Sequence, residues 1–267
     1  MKHPYIFMKL ILPGFFISVF TLPTFAQSEW RNWNAIHLKV PIMKKLDASV
    51  GHLRTYDMTN SFSNSFNQSN IEFSYDINKK WSAETGVLFM STPNSGNTTT
   101  RFYLEGTYKS RLGDKITWHN RVHWEINSAN ETRFHERIVL STRFGLRKRL
   151  DFLKLSPSIR YSLYYNLGGS QVQYYDAALN PVVLQSPNGF HRGRLLINFN
   201  SKITKQISVS LFYLNQKEFN FLTGQYKEVN YFDPVKQRIR KPFNDYNAIG
   251  VTLNITLGKE GDNPIFD

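Results

Sequence analysis

Apolar and polar residues alternate with period two along most of this chain, and no stretch carries a convincing helical stripe. That pattern predicts strands throughout. From Ile116 to Ile126, the residues Ile116, Trp118, Val122, Trp124 and Ile126 share one face, with Asn120 as an exception. Thr117, His119, Arg121, His123 and Glu125 share the other. "RFHERIVLSTRF" repeats the scheme, with Phe134, Ile138, Leu140 and Phe144 set against His135, Arg137, Ser141 and Arg143. "LSPSIRYSLYY" and "NAIGVTLNITL" alternate in the same way.

Eleven such segments fall near 31–40, 48–57, 69–77, 81–90, 100–110, 115–127, 132–145, 153–166, 190–201, 206–218 and 246–258. Their connections alternate in character. One set is short and basic, as in "DINKKW", "SRLGDK" and "ITKQIS". The other is mostly longer and rich in Asn, Ser, Thr or Gly, with 166–189 and 217–245 the longest. Short turns at one rim and long loops at the other are the pattern of an outer-membrane barrel. Bacterial single-chain barrels nearly always have an even strand number. The reading is therefore ten to twelve strands: either 217–245 hides one more, or the first segment stays outside the closed sheet.

Alternation alone does not say which face is inside, and a soluble periplasmic β-barrel with its apolar face inward is the fold-level alternative. Segments of this length suit a tilted crossing of roughly 9–11 residues, whereas soluble strands average about five or six. An Arg facing lipid near the bilayer midplane costs about 2–4 kcal/mol. Arg121, Arg137, Arg160 and Arg194 must then point into the lumen. Trp30, Trp33, Trp81, Tyr108, Tyr164, Tyr165 and Tyr213 stand near segment ends, where interfacial girdles sit. The fold class is thus all-β, a single antiparallel transmembrane β-barrel.

Residues 1–26 stand apart from that fold. Lys2 and Lys9 flank a start without acids, "LILPGFFISVF" is a short apolar core, and "TFA" precedes Gln27. This is a secretory signal peptide, cleaved after Ala26. Pro13, Pro23 and the shortness of the apolar run exclude a spanning helix. The barrel then occupies 27–258 and a C-terminal tail 259–267. With no Cys there are no disulfides, thiolate metal sites or cysteine nucleophiles. The formal charge of +13 falls by two with the leader and still favours anionic partners. Export leaves lipid headgroups or an anionic solute ahead of nucleic acid, which is not expected.

"WNAIHLKVPIMKKLDASVGHLRTYD", then "NKKWSAETGVLF", then the strands "RVHWEI" and "RFHERIVLSTRFGLRKRL" resemble the bacterial outer-membrane barrel family catalogued as domain of unknown function 2490. The resemblance spans essentially the whole chain after the leader and implies fold and location, in the outer membrane of a Gram-negative bacterium, without an activity. Barrels of this kind meet the barrel-assembly machinery, often through an aromatic ending the last strand. Here Phe266 lies beyond it.

His119 and His123, four apart on one strand face, are separated by about 13 Å. That is too wide for one zinc, whose ligand bonds are about 2 Å long. Across the hairpin, His123 is expected opposite His135 or Arg137, with no third ligand. The His-x-Ser signature of outer-membrane phospholipases and lipid A deacylases is absent, as are the Asp-x-Asp and Asp-x-His pairs of outer-membrane aspartyl-type proteases. No catalytic residue, cofactor or metal is therefore indicated. The polar faces read as a lumen lining of His119, Arg121, His123, Glu125, His135, Arg137, Arg143, Arg160, Arg192 and Arg194, with Glu84 and Glu105 as counter-charges. Such a lining can fill a small barrel with paired charges, or its Arg excess can draw anions through an open pore. The leading function is a non-enzymatic outer-membrane barrel of unspecified role, of which a passive anion-preferring channel is one form. The alternatives are a surface adhesion or structural barrel acting through loops 166–189 and 217–245, and a lipid-modifying enzyme.

Overall fold

A computed structural model describes residues 29–59, 62–93, 96–240, 242 and 244–258. The expected signal peptide and the tail 259–267, with Phe266, lie outside the described residues. Eleven long strands close into a barrel: β1 (Glu29–Met43), β2 (Leu46–Asp57), β3 (Ser63–Asp76), β4 (Trp81–Thr92), β5 (Asn97–Leu112), β6 (Ile116–Asn127), β7 (Glu136–Leu146), β8 (Leu155–Leu167), β11 (Asn188–Lys202), β12 (Ile207–Thr223) and β15 (Tyr246–Thr256). Two small hairpins stand outside it, β9 (Val172–Tyr175) with β10 (Pro181–Gln185), and β13 (Phe232–Asp233) with β14 (Arg238–Ile239). Among the described residues no helix is long and apolar enough to cross a membrane.

Each barrel strand pairs antiparallel with its neighbours in the sheet, except at the seam. There β1 and β15 pair in parallel from Glu29↔Tyr246 to Lys39↔Thr256. This corrects the expectation of a wholly antiparallel barrel, and the reason is parity. In an odd-numbered meander the first and last strands run the same way. Both expected routes to an even count are also overturned. The first segment is a full member of the sheet, and 217–245 contributes an extension of β12 and the hairpin β13–β14.

The registers stagger around the wall. Lys39, Ser49, Glu72, Gly86, Tyr103, Glu125, Arg137 and Asn166 form one row of successive partners. The row climbs from the short-turn end of β1 to the long-loop end of β8, so the strands tilt, as closure requires. Alternate residues face outward, and Ile36, Val50, Ile71, Phe89, Phe102, Val122, Leu140, Ile159, Leu211 and Val251 form an exposed apolar belt. Near its short-turn edge Trp81 packs on Tyr108 with ring centroids 4.8 Å apart. The belt is broken over β1–β3, where Asn32, Asn34, His52, Arg54, Asn67 and Ser69 take the outward positions of the long-loop half.

The connections follow the expected alternation, but fewer are long. Much of "DMTNSFSNSFNQ" and of "MSTPNSGNTTT" pairs as strand, because a ladder is made by backbone groups and tolerates polar side chains on both faces. The long connections are 168–187 and 224–245, and 128–135 is much shorter than either. Two expected girdle residues, Trp33 and Tyr164, turn out to face inward and are buried.

Candidate functional site

The lumen is the site, and strand parity positions nearly all of it. His119, Arg121, His123 and Glu125 on β6 share the inward face with Glu105 on β5 and Arg137 and Arg143 on β7. Arg160 on β8 and Arg192 and Arg194 on β11 continue that face. His135 departs from the expected lining. It lies in the connection before β7, with a side chain 62% exposed. Phe134, expected on the outer face, instead folds in against Arg137 and is 1% exposed. The irregular backbone of 128–135 breaks the period-two count on which both expectations rested. The hairpin register also differs, setting Glu125 opposite Arg137 and His123 opposite Val139.

Toward the long-loop end the charges are paired. Glu125 lies 2.7 Å from Arg137 and 3.3 Å from Arg101. Arg101 Nε also donates to Asn127 Oδ1 at 2.6 Å. The two ring nitrogens of His123 face Glu105 at 3.0 Å and Glu125 at 3.1 Å, and Arg121 reaches Glu105 at 3.2 Å. Arg192 donates from Nε to Glu218 at 2.8 Å. Buried charges are tolerable in this form because each has an opposite charge beside it.

Two glycines let aromatic rings cross strands, a signal that mid-strand glycine carries. A Cβ on Gly86 would fall 2.8 Å from the Tyr103 hydroxyl. The gap allows Tyr103 on β5 to pass over β4, with its hydroxyl 3.0 Å from Glu72 and 2.9 Å from Glu84. At the seam, a Cβ on Gly250 would collide with the ring of Phe212. Phe212 thereby meets Trp33 edge-on at 6.4 Å.

Over this paired layer sits a folded cap. Phe134 packs with Val229 of the 224–245 connection. Tyr174 on β9 is almost fully buried, stacked 5.3 Å from Tyr226 and tilted against Tyr231 at 4.8 Å. Its hydroxyl donates to the Glu228 carbonyl at 2.9 Å. Glu131 anchors the 128–135 connection by accepting from the Arg133 backbone and guanidinium at 2.6–2.9 Å. Burial alone would push the Glu131 carboxyl up. The Arg133 hydrogen bonds and charge, with Arg101 behind them, outweigh it and hold the group below the usual carboxylate range.

Below the paired layer the balance changes. Arg143 and Arg160 pair across β7 and β8, with Arg121 among their charged neighbours. Among the described residues neither Arg143 nor Arg160 has a hydrogen-bonded or ion-paired partner. Arg194 donates only to neutral oxygens, of Gln216, Tyr164 and Tyr246, at 2.8–3.2 Å. The other wall of the lumen is apolar, a cluster of Trp33, Leu214, Tyr246 and Ala248 with Leu53, Phe66, Leu196 and Phe212 against it. Parity did not announce that wall, because these residues stand at inward positions that the polar pattern reserves for charge. Among the described residues no three His, Asp or Glu side chains are grouped to hold a metal ion.

A family model described as protein of unknown function (DUF2490) matches residues 30–227. The chain belongs to this family. The match takes in the barrel from Trp30 into the connection after β12 and stops short of β15. No curated protein matches this DUF2490 barrel. The family description supplies no activity, so function has to be argued from the lumen.

Proposed function

We propose that this chain is an exported, non-enzymatic outer-membrane barrel, closed at its long-loop end, whose lumen offers arginines to anions from the short-turn end. One observation carries the reading: guanidiniums without carboxylate partners lie beneath a layer of paired charge and a folded cap. Cationic rings in a low-dielectric passage favour anions. A through-going channel needs that passage continuous, and the paired layer with Phe134 and Val229 above it stands across the mouth. An apolar outward belt supports lipid as the barrel's surroundings. A chain set in the outer membrane would reach it through the barrel-assembly machinery.

The test is bilayer conductance of the refolded barrel under a salt gradient. The wild type is expected to be silent. Glu125→Ala, which frees Arg101 and Arg137, is expected to give flickering, anion-preferring openings. Steady conductance from the wild type would restore the open anion channel and overturn the closed reading. Recovery of the protein in the soluble periplasmic fraction would overturn the location.

A second reading, surface contact through 166–189 and 217–245, is favoured by the cap itself. It is folded, and it leaves Leu179, Leu184, Phe232 and Val235 exposed. Exchange of those loops should then change cell adhesion while leaving heat-modifiable folding intact.

A further inference from the structure

Midway down the lumen is a cavity of about 370 Å³, bounded by two different kinds of wall. Arg160 projects from β8 on one side. Arg194 of β11 lines the cavity with it, and Leu196 is the partner of Arg160 across the β8–β11 pair. Trp33, Leu53 and Phe212 line the other side, contributed by β1, β2 and β12. We propose that this cavity binds an amphiphile with one anionic head, which pairs with Arg160, and an apolar body lying on the Trp33–Phe212 wall.

The cation comes first in the argument. A buried guanidinium ordinarily has a carboxylate beside it, as Arg137 and Arg192 do here. Among the described residues Arg160 has no carboxylate at ion-pair distance; Glu105 acts on it from further off, against two further arginines, Arg121 and Arg143. An incoming anion would relieve that crowding and accept the planar, two-pronged donation for which guanidinium is suited. The apolar wall comes second. A lumen filled only for structural reasons would pair polar with polar or pack shut, whereas here an aromatic and aliphatic surface borders open space. Such a surface rewards the removal of hydrocarbon from water. A cavity of this size fits an apolar body of roughly ten carbons, within the range of small-molecule pockets. A small hydrophilic anion would use Arg160 and leave the wall idle. A neutral hydrocarbon would do the reverse. The anionic amphiphile uses both.

The inference rests on the closed-barrel reading for the ligand's route, which is from the short-turn end. Its test does not depend on conductance. The barrel is refolded into an amphipol, and decanoate, decanol and decyltrimethylammonium are titrated calorimetrically. Decanoate is expected to bind saturably with one site, decanol more weakly, and the cation not at all. Arg160→Gln should weaken decanoate about tenfold, the loss of one charge-assisted contact, while leaving decanol unchanged. Leu53→Trp, which fills the cavity from the wall away from Arg160, should abolish both. A heat-modifiable gel shift identifies the variants that fold, and the two act through different walls, so the loss of one leaves the other informative. Equal binding of the cation, or decanoate affinity unchanged in a folded variant, overturns the proposal. Absence of binding by a silent wild-type barrel sinks this inference alone. Steady wild-type conductance sinks the closed-barrel reading instead.

Discussion

Glu125 sits where two guanidiniums and an imidazole converge, and the consequences of removing it differ from those of removing an arginine below it. Without that carboxylate, Arg101 and Arg137 remain buried and facing each other. Breaking a buried pair by one partner costs about 3–5 kcal/mol. Glu125→Gln should therefore lower the unfolding free energy of the refolded barrel, read from its urea transition, by that order. Arg143→Gln should cost about 0–1 kcal/mol, as its exposed guanidinium has no acid to leave behind. Equal losses from the two variants would mean that the paired layer is not a distinct structural unit. Glu131 makes a pH prediction in the cap. Its folded pKa is depressed, so its stabilisation is fully present above the unfolded carboxylate value of about 4. That stabilisation is lost as pH falls through the lower folded value. Amide exchange in 128–135 should accelerate as pH falls below about 4, after correction for intrinsic rates, and Glu131→Gln should show the faster exchange already at neutral pH. At this scale the sequence was legible wherever a residue stood inside a regular strand. His119, Arg121, His123, Glu125 and Arg137 were read from parity alone. Phe134 and His135 were misread because the strand had not yet begun, and no local pattern marks the first paired residue of β7. Trp33 was misread because a ring near a strand end can serve a girdle or a core, and only Gly250, at the other end of the chain on β15, marks the gap that lets Phe212 reach it.

The strands pair uniformly except at the seam, and that exception predicts where the barrel opens first. Parallel pairing is slightly less stable per residue than antiparallel pairing, and β1 and β15 are joined by no turn. Their union is reinforced across Gly250 by Phe212 and Trp33. Hydrogen exchange should find the amides shared by β1 and β15 less protected than those shared by β6 and β7. Phe212→Ala should widen that difference, and Thr85→Ala, on β4 three strands from the seam, should not. Equal protection around the ring would show that aromatic packing fully offsets the weaker pairing. The strand count was open to sequence because each polar–apolar run announces itself. Closure was not. An odd count conflicts with the usual even rule, and nothing in the alternation of β1 or β15 distinguishes a parallel edge from an antiparallel one. The polar ends of β3 and β5 were hidden for a related reason, since backbone pairing there continues past the last apolar residue.

Seen as a whole, the barrel has a lumen that divides into an apolar and a charged wall, and an outer surface that divides unevenly as well. The apolar belt covers most of the circumference, yet over β1–β3 its long-loop half gives way to His52, Arg54 and neighbouring amides and hydroxyls. His52 shares a hydrogen bond of 3.0 Å with Ser69 across the strand pair, and Arg54 lies over the Tyr56 ring at 5.3 Å. Neither side chain reaches the lumen. In a bilayer these groups desolvate against acyl chains or force the outer leaflet to thin beside them, and an outward Arg costs about 0–1 kcal/mol near the interface and 2–4 at the midplane. Arg54→Leu and His52→Leu should therefore each stabilise the barrel in vesicles by roughly 1 kcal/mol. The gain should grow with acyl-chain length, because a thicker bilayer draws the same positions deeper into hydrocarbon. A water-soluble barrel would respond in the opposite sense, because an exposed leucine adds no burial and widens a surface patch that invites association. The sign of this change, measured as the urea midpoint in short-chain and long-chain vesicles, separates the two environments without reference to any ligand. Stabilisation that rises with thickness supports insertion. A loss of stability, or no dependence on the lipid, would mean that the polar patch faces water and that the apolar belt is covered by something other than a membrane.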